Sequence, residues 1–483
     1  MKIVCTILLL AGALTDGNCQ PQYSNLQRCK VEDTDDSVLC GTYAVFENHK
    51  TKQGRKIDLN IIVIPALNRT SNQPPIFYFD GGPGIGTTKN ASWFAEKSNL
   101  YRQNHDAVLI DNRGTGGSNP LHCYSLQYQP GLAEQFDEHN PRNEMYPVQE
   151  VKTCYDSLSK KADLTQYTTT NIVHDIEEVR LWLGYKKIHL YGLSYGTRVA
   201  QEYMRRFPSS IETAVLWSAT STGSKMPLYH ARFAQATLEK LFNDCAGDSL
   251  CKTNYPHLRK EFSALMAQGK KQNFSTVYTF SDGATKQLSI PWNIFQTKIR
   301  TLMYEPTGLR KIPFLIHEAY EGNWKPFLSL YPEKGKYSDF LADGLYLGIT
   351  CSEDVPFIKR KEARSLTRKT FMGKYRIEQQ QTACSNWIRG NIPGDFLQPV
   401  RSDIRVLILS GEWDPVTPVS MAKEISRFLP NSQLVILPQM SHGFDGLSNK
   451  ECFDEMAIEF IKTSGKQNSI QTALPKCSHH HIK

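Results

Sequence analysis

KKIHLYGLSYGTRVA, residues Lys186 to Ala200, runs from a short apolar stretch into a serine flanked at two residues' distance by glycines, and then into a helix-like segment that continues to Pro208. The apolar stretch is the length of a strand, and the polar and apolar residues of TRVAQEYMRRFP recur at helical spacing. A strand that hands over to a helix through so tight a turn lifts its serine hydroxyl above the sheet edge. Gly192 and Gly196 omit the side chains that would collide there. Ser194 is therefore read as a nucleophile, and the fold around it as one that alternates strands with helices.

The rest of the chain supplies that scaffold. Strand-like runs begin at Lys56 (KIDLNIIVIPA), Pro75 (PIFYFDGGPG), His105 (HDAVLIDNRGTGGS), Ile211 (IETAVLWSAT), Ile404 (IRVLILSGEWD) and Ser432 (SQLVILPQMSH). They are short, rich in β-branched residues and almost continuously apolar, the pattern of parallel strands covered on both faces. Helix-like segments such as TTNIVHDIEEVRLWLG lie between several of them, so an α/β, mostly parallel, doubly wound sheet is expected. From Ser221 to Val400 strand signals thin out and helical stretches dominate, as in HARFAQATLEKLFNDCA. The expected organisation is a signal segment over 1–19, a core over 20–220, an inserted helical cap over 221–400, a return to the core over 401–465 and a tail over 466–483.

A serine hydroxyl needs a histidine to accept its proton and an acid to orient that histidine. LILSGEWDPVTP places Asp414 just beyond one strand, and LPQMSHGF places His442 just beyond the next. The order Ser, Asp, His is that of an α/β hydrolase. Glu412 is the alternative acid, and Asp414 as a plain helix cap is the alternative role. Acyl transfer also needs donors for the oxyanion. FDGGPGIG offers the N–H of Gly81 or, preferably, Gly82, to pair with that of Tyr195. Such a set needs no cofactor and no metal.

At 483 residues, 40% hydrophobic and 22% charged, the chain has the composition of a folded globular protein. Its formal charge of +8 is scattered, without the basic run that nucleic-acid binding calls for. MKIVCTILLLAGALTDGNCQ has the charged start, apolar stretch and small residues of a cleaved export signal. Cleavage after Ala13 and after Cys19 both fit, and a lipid anchor on Cys19 is the weaker reading. No later segment has the about 20 apolar residues of a membrane span. A secreted or periplasmic location follows, and with it disulfides. Setting aside Cys5 and Cys19 leaves ten of the twelve cysteines. Nearest neighbours pair as Cys29 with Cys40, Cys123 with Cys154, Cys245 with Cys251, Cys351 with Cys384, and Cys452 with Cys477. No CxxC pair supports a zinc site. Asn68, Asn90 and Asn273 are sequons for a host that glycosylates. SHHHIK is read as a flexible tail.

Together GGPG (Gly81 to Gly84), DNRGTGGS (Asp111 to Ser118), GLSYGT (Gly192 to Thr197), GEWDPVTP (Gly411 to Pro418) and SHG (Ser441 to Gly443) resemble the tripeptidyl and prolyl aminopeptidase branch of the α/β hydrolases. The likeness spans most of the chain, extends to the Cys29 and Cys40 pair and to GITCSEDV around Cys351, and is closest to the secreted, tripeptidyl type. Asp80, where many prolyl aminopeptidases have His before GGPG, points away from strict proline specificity. The resemblance implies a secreted serine exopeptidase acting on free N-termini. Such an enzyme needs carboxylates for the substrate ammonium, and Glu353 and Asp354 are the candidates. Arg113 and Arg198 are expected to hold loops and helix. The alternatives are a carboxylic ester hydrolase with the same triad, and a non-catalytic binding protein that keeps the fold. Peptides or small esters are the expected partners. Ser194 at the elbow disfavours a dehalogenase or epoxide hydrolase, which use Asp there.

Overall fold

The structure is a computed structural model that describes residues 25–32, 37–68, 71–139, 144–447 and 451–464. The expected signal segment, Cys5, Cys19, Cys477 and the 466–483 tail lie outside the described residues. Its centre is a nine-stranded sheet built from β1 (Gln27–Lys30), β2 (Ser37–Phe46), β3 (Lys56–Ile64), β4 (Ile76–Phe79), β5 (Ala107–Ile110), β6 (Ile188–Leu193), β7 (Ile211–Trp217), β8 (Arg405–Gly411) and β9 (Ser432–Leu437). The spatial order is β1-β2-β3-β5-β4-β6-β7-β8-β9. From β5 to β9 all pairings are parallel, whereas β1, β2 and β3 pair antiparallel with their neighbours.

Successive residues of the parallel strands point to opposite faces, and both faces are covered. Phe77, Phe79, Leu190, Leu216 and Ile408 pack on one side with Ile172, Ile176, Val199 and Tyr203 of α1 (Thr169–Trp182) and α2 (Tyr195–Arg206). Tyr78, Tyr191, Val215, Trp217 and Leu409 pack on the other with Phe453, Met456 and Phe460, from a helix over Glu451–Lys462. Each such side chain removed from water contributes about 1.5–3 kcal/mol, so the parallel strands are anchored from above and below.

Two details differ from the sequence reading. The run from Lys56 is antiparallel rather than parallel, and its burial alternates along Lys56 to Asn60, the signature of a strand with one wetter face. The strand SVLCGTYAVF is absent from the expected runs because Cys40, Gly41 and Thr42 interrupt its hydrophobicity.

After β7 the chain leaves the sheet and returns at β8. The segment between contains α3 (His230–Gly247), α4 (Leu258–Gly269), α5 (Trp292–Leu302), α6 (Pro306–Tyr320), α7 (Asp343–Glu353) and α8 (Tyr375–Ser385), with a hairpin of Phe274–Thr279 and Thr285–Ile290. Leu238, Phe262, Phe295, Ile312 and Trp324 form a core of its own, which Leu132 and Phe136 join from before β6. By contrast, Leu345, Leu347 and Ile349 of α7 pack into the sheet's core, so α7 is bound to the scaffold. Disulfides join Cys29 to Cys40, Cys123 to Cys154, Cys245 to Cys251 and Cys351 to Cys384, four of the five nearest-neighbour pairs. Among the described residues no helix is long and apolar enough to cross a membrane.

Candidate active site

The turn from β6 into α2 is as tight as its glycines imply. A Cβ on Gly196 would lie 2.0 Å from the Phe79 carbonyl oxygen, and one on Gly192 2.6 Å from that of Gly196. Ser194 sits between them at φ 54° and ψ −117°, a strained conformation for a residue with a side chain, and such strain clusters at active sites. Its N–H donates to the Trp217 carbonyl at 2.9 Å, and its own carbonyl accepts from Thr197 Oγ1 at 2.6 Å.

Ser194 Oγ lies 3.0 Å from His442 Nε2, and His442 Nδ1 lies 2.8 Å from Asp414 Oδ2. Asp414 is 2% exposed. Its Oδ1 accepts from the N–H groups of Val416 and Thr417 at 2.7 and 2.8 Å, and its Oδ2 accepts from Thr417 Oγ1 at 2.7 Å. Burial alone would raise the Asp414 pKa, but the His442 ring and the Thr417 hydrogen bonds outweigh it and hold the carboxyl below its ordinary value. An ionised Asp414 only accepts, so Nδ1 of His442 carries the proton and Nε2 is left to accept from Ser194.

The loop carrying His442 is fastened to the inserted segment. Ser441 Oγ donates to the Met303 carbonyl, the Gly443 N–H donates to the Tyr304 carbonyl at 2.8 Å, and the Tyr304 ring stands edge-on to His442 at 5.3 Å. Sequence reasoning missed Thr417 and Tyr304. The TP of GEWDPVTP was a usable signal for the first. Nothing local marks the second.

Gly81 is directly beside the serine, since a Cβ there would meet Ser194 Cβ at 3.3 Å. Its N–H is donated to Asp80 Oδ1 at 2.6 Å. Gly82 has φ 107°, a conformation open to glycine. The Tyr195 N–H begins α2, so it has no acceptor within the helix. Asp80 Oδ2 accepts from Asn90 Nδ2 at 2.7 Å, and Thr87 O accepts from the same amide at 3.2 Å. The Asn90 sequon thus spends its side-chain amide within the loop.

Glu412 does not reach His442; it pairs with Lys240 at 2.7 Å. Glu353 and Asp354 also depart from expectation. They are 0% and 1% exposed. Arg198 Nη2 donates to Asp354 Oδ1 at 2.8 Å, and Arg198 Nη1 lies 3.5 Å from Glu353 Oε2. Glu353 also accepts from Thr169 N and Oγ1 at 2.6 and 2.7 Å, and Thr169 Oγ1 in turn lies 2.7 Å from the Tyr195 hydroxyl. These carboxylates, expected as an anchor for a substrate ammonium, face the guanidinium of Arg198 on α2 and the Thr169 donors rather than solvent. Arg113 is likewise internal and grips Asp175 through two nitrogens at 2.6 and 2.7 Å. Among the described residues no group of three or more His, Cys, Asp or Glu is arranged to hold a metal ion.

Residues 74–292 match the family model described as alpha/beta hydrolase fold, and residues 369–472 match the one described as TAP-like protein. The chain is 22% identical to the serine protease Hip1 of Mycobacterium tuberculosis over 462 residues, covering 88% of this chain and 85% of that one. It is 27% identical over 214 residues to a tripeptidyl aminopeptidase of Streptomyces coelicolor, covering 41% of this chain and 38% of the relative. A proline iminopeptidase of Aeromonas sobria is 28% identical over 160 residues, covering 32% and 29% of the two chains.

Proposed function

Because the chain belongs to the α/β hydrolases, and its motifs and relatives lie in the peptidase branch of that fold, we propose that it is a serine peptidase that releases residues or short peptides from free N-termini. The observation that carries this reading is the continuous hydrogen-bonded line from Ser194 Oγ through the two His442 nitrogens to Asp414. In the mechanism we infer, His442 Nε2 takes the Ser194 proton as Oγ attacks the scissile carbonyl carbon. The resulting oxyanion accepts hydrogen bonds from the Gly82 and Tyr195 N–H groups. Collapse breaks the C–N bond, and the proton on Nε2 goes to the departing amine. Water, deprotonated by the same nitrogen, then attacks the acyl ester and regenerates Ser194.

With Glu353 and Asp354 buried against Arg198, the ammonium anchor moves in this reading to Glu305, at the N-terminal end of α6. Its Oε2 accepts from the Asp445 N–H at 2.9 Å, it lies close enough that a Cβ on Gly443 would touch it, and its charge reaches His442. We further propose that residues 221–400 act as a cap over the serine and that residues 1–19 direct export. The four disulfides support an oxidising compartment.

Hydrolysis of matched peptide anilides with free and acetylated N-termini, beside p-nitrophenyl esters, tests the reading. Cleavage confined to free-amine peptides and lost in Ser194→Ala supports an aminopeptidase. Rapid ester turnover with indifference to the peptides moves the assignment to an esterase.

A further inference from the structure

Two buried arginines of the scaffold have carboxylate partners, Arg113 with Asp175 and Arg198 with Asp354. Among the described residues Arg300 and Arg376, both between β7 and β8, do not. Arg300, on the last turn of α5, is 8% exposed, and among the described residues its Nε and Nη2 are buried without an acceptor. Its guanidinium lies 5.2 Å over the ring of Tyr304, the ring that faces His442. Arg376, at the start of α8, is also 8% exposed. Its nitrogens donate to neutral acceptors, Gln380 Oε1 at 2.7 Å and the Tyr346 hydroxyl at 2.6 Å, and it stacks on Tyr146 at 5.4 Å.

Both charges act on one side chain, His230. His230 is 7% exposed with Nδ1 unpartnered among the described residues. Burial first, and then Arg300, Arg376 and His442, push its pKa well below the ordinary imidazole value. His230 is therefore neutral and adds no further charge. The acids nearby are Glu305, already accepting from Asp445 N–H, and Asp343, whose carboxyl burial pushes up to about 6 and whose Oδ2 is unpartnered among the described residues. Neither makes an ion pair with Arg300 or Arg376 among the described residues. A guanidinium stays charged at any ordinary pH, and a buried charge without its counterion carries an uncompensated desolvation cost. Arginine is also the side chain suited to a planar carboxylate.

We propose that Arg300 and Arg376 form a carboxylate-binding subsite beside His442, which selects peptides bearing a free carboxylate within a residue or two of the scissile bond. This rests on the peptidase reading above for its substrate class, while the arginines themselves require only an anion. The carboxylate is either the C-terminus of a short peptide or an acidic side chain, and the substrates distinguish the two.

The test compares kcat/KM for a short neutral peptide as free acid and as C-terminal amide, and for amidated peptides carrying Glu or Gln next to the scissile bond. The expected result is a preference on the order of tenfold or more for one carboxylate-bearing member over its neutral partner, with the ratio falling to about one in Arg300→Met and Arg376→Met. Ratios within each variant cancel any general loss of activity. A second arm needs no arginine variant and no turnover: the melting temperature of Ser194→Ala is followed with the same peptides. A larger rise with the carboxylate-bearing peptide than with its neutral partner supports the subsite even if the protein proves to be an esterase. Equal rates for charged and neutral partners in the wild type, a preference that survives both Met variants, or equal thermal shifts would overturn it.

Discussion

Asp414 Oδ2 accepts two hydrogen bonds at once, from Thr417 Oγ1 at 2.7 Å and from His442 Nδ1 at 2.8 Å. The threonine thereby helps to fix the carboxylate that fixes the imidazole. A hydrogen bond to a charged group contributes about 1.5–3 kcal/mol, and in this geometry the loss is felt when the imidazolium forms. Thr417→Val is expected to lower kcat by roughly ten- to a hundredfold, with KM little changed. Thr417→Ser, which keeps the hydroxyl, should recover most of it. Steady-state kinetics on any cleaved anilide or ester check this, and an unaltered kcat in the valine variant would remove Thr417 from the account.

The elbow glycines make a sharper demand. The Cβ of Gly196→Ala would press on the Phe79 carbonyl of the neighbouring strand, so the turn that carries Ser194 must shift. Overpacking of this kind costs about 1–3 kcal/mol, occasionally more, and the displaced nucleophile should lose nearly all activity. A Cβ on Gly247, by contrast, meets nothing within 4 Å, and Gly247→Ala is expected to leave the melting temperature unchanged or raised. Thermal melts of the two variants test the contrast.

Burial pushes the Glu353 carboxyl up to about 7, with Arg198 and the Thr169 hydrogen bonds opposing. The folded pKa is raised above the ordinary glutamate value of 4.5. Its contribution to stability is therefore complete below that value and is lost as pH rises through about 7. Glu353→Gln should flatten the fall in stability across that window in denaturant titrations run at several pH values. An identical pH profile for wild type and variant would show that Glu353 is ionised throughout.

Among the disulfides, Cys123–Cys154 closes a sequence separation of 31 and Cys245–Cys251 one of 6. Loop-closure entropy assigns roughly 4 and 2 kcal/mol respectively to these separations. Replacing the first pair by alanine should lower the melting temperature more than replacing the second. The reverse order would mean that packing, not chain entropy, sets their worth.

What was legible in the sequence follows from how local its cause is. The turn at Ser194 is specified by Gly192 and Gly196 within five residues, and Asp414 and His442 are marked by the strands they follow. Cysteine neighbours pair because β1 and β2 lie side by side, because Cys245 and Cys251 are separated by only 6, and because α7 and α8 carry Cys351 and Cys384. The parallel strands were visible as unbroken apolar runs. The antiparallel strand over Ser37–Phe46 was not, since Cys40, Gly41 and Thr42 disguise it. Glu353 and Asp354 read as available acids because Asp354 meets Arg198 across 156 residues, a pairing no local pattern announces. Arg300, Tyr304 and Glu305 were invisible for the same reason: they matter only because α5 and α6 dock against the loop of His442.

The central claim is that Ser194 is made nucleophilic by His442 across 3.0 Å. The most direct measurement is reaction with a fluorophosphonate followed by peptide mapping in wild type, Ser194→Ala and His442→Ala. The account predicts a single adduct on Ser194, absent from Ser194→Ala and formed far more slowly in His442→Ala. No adduct in the wild type, or an adduct on another serine, would contradict it.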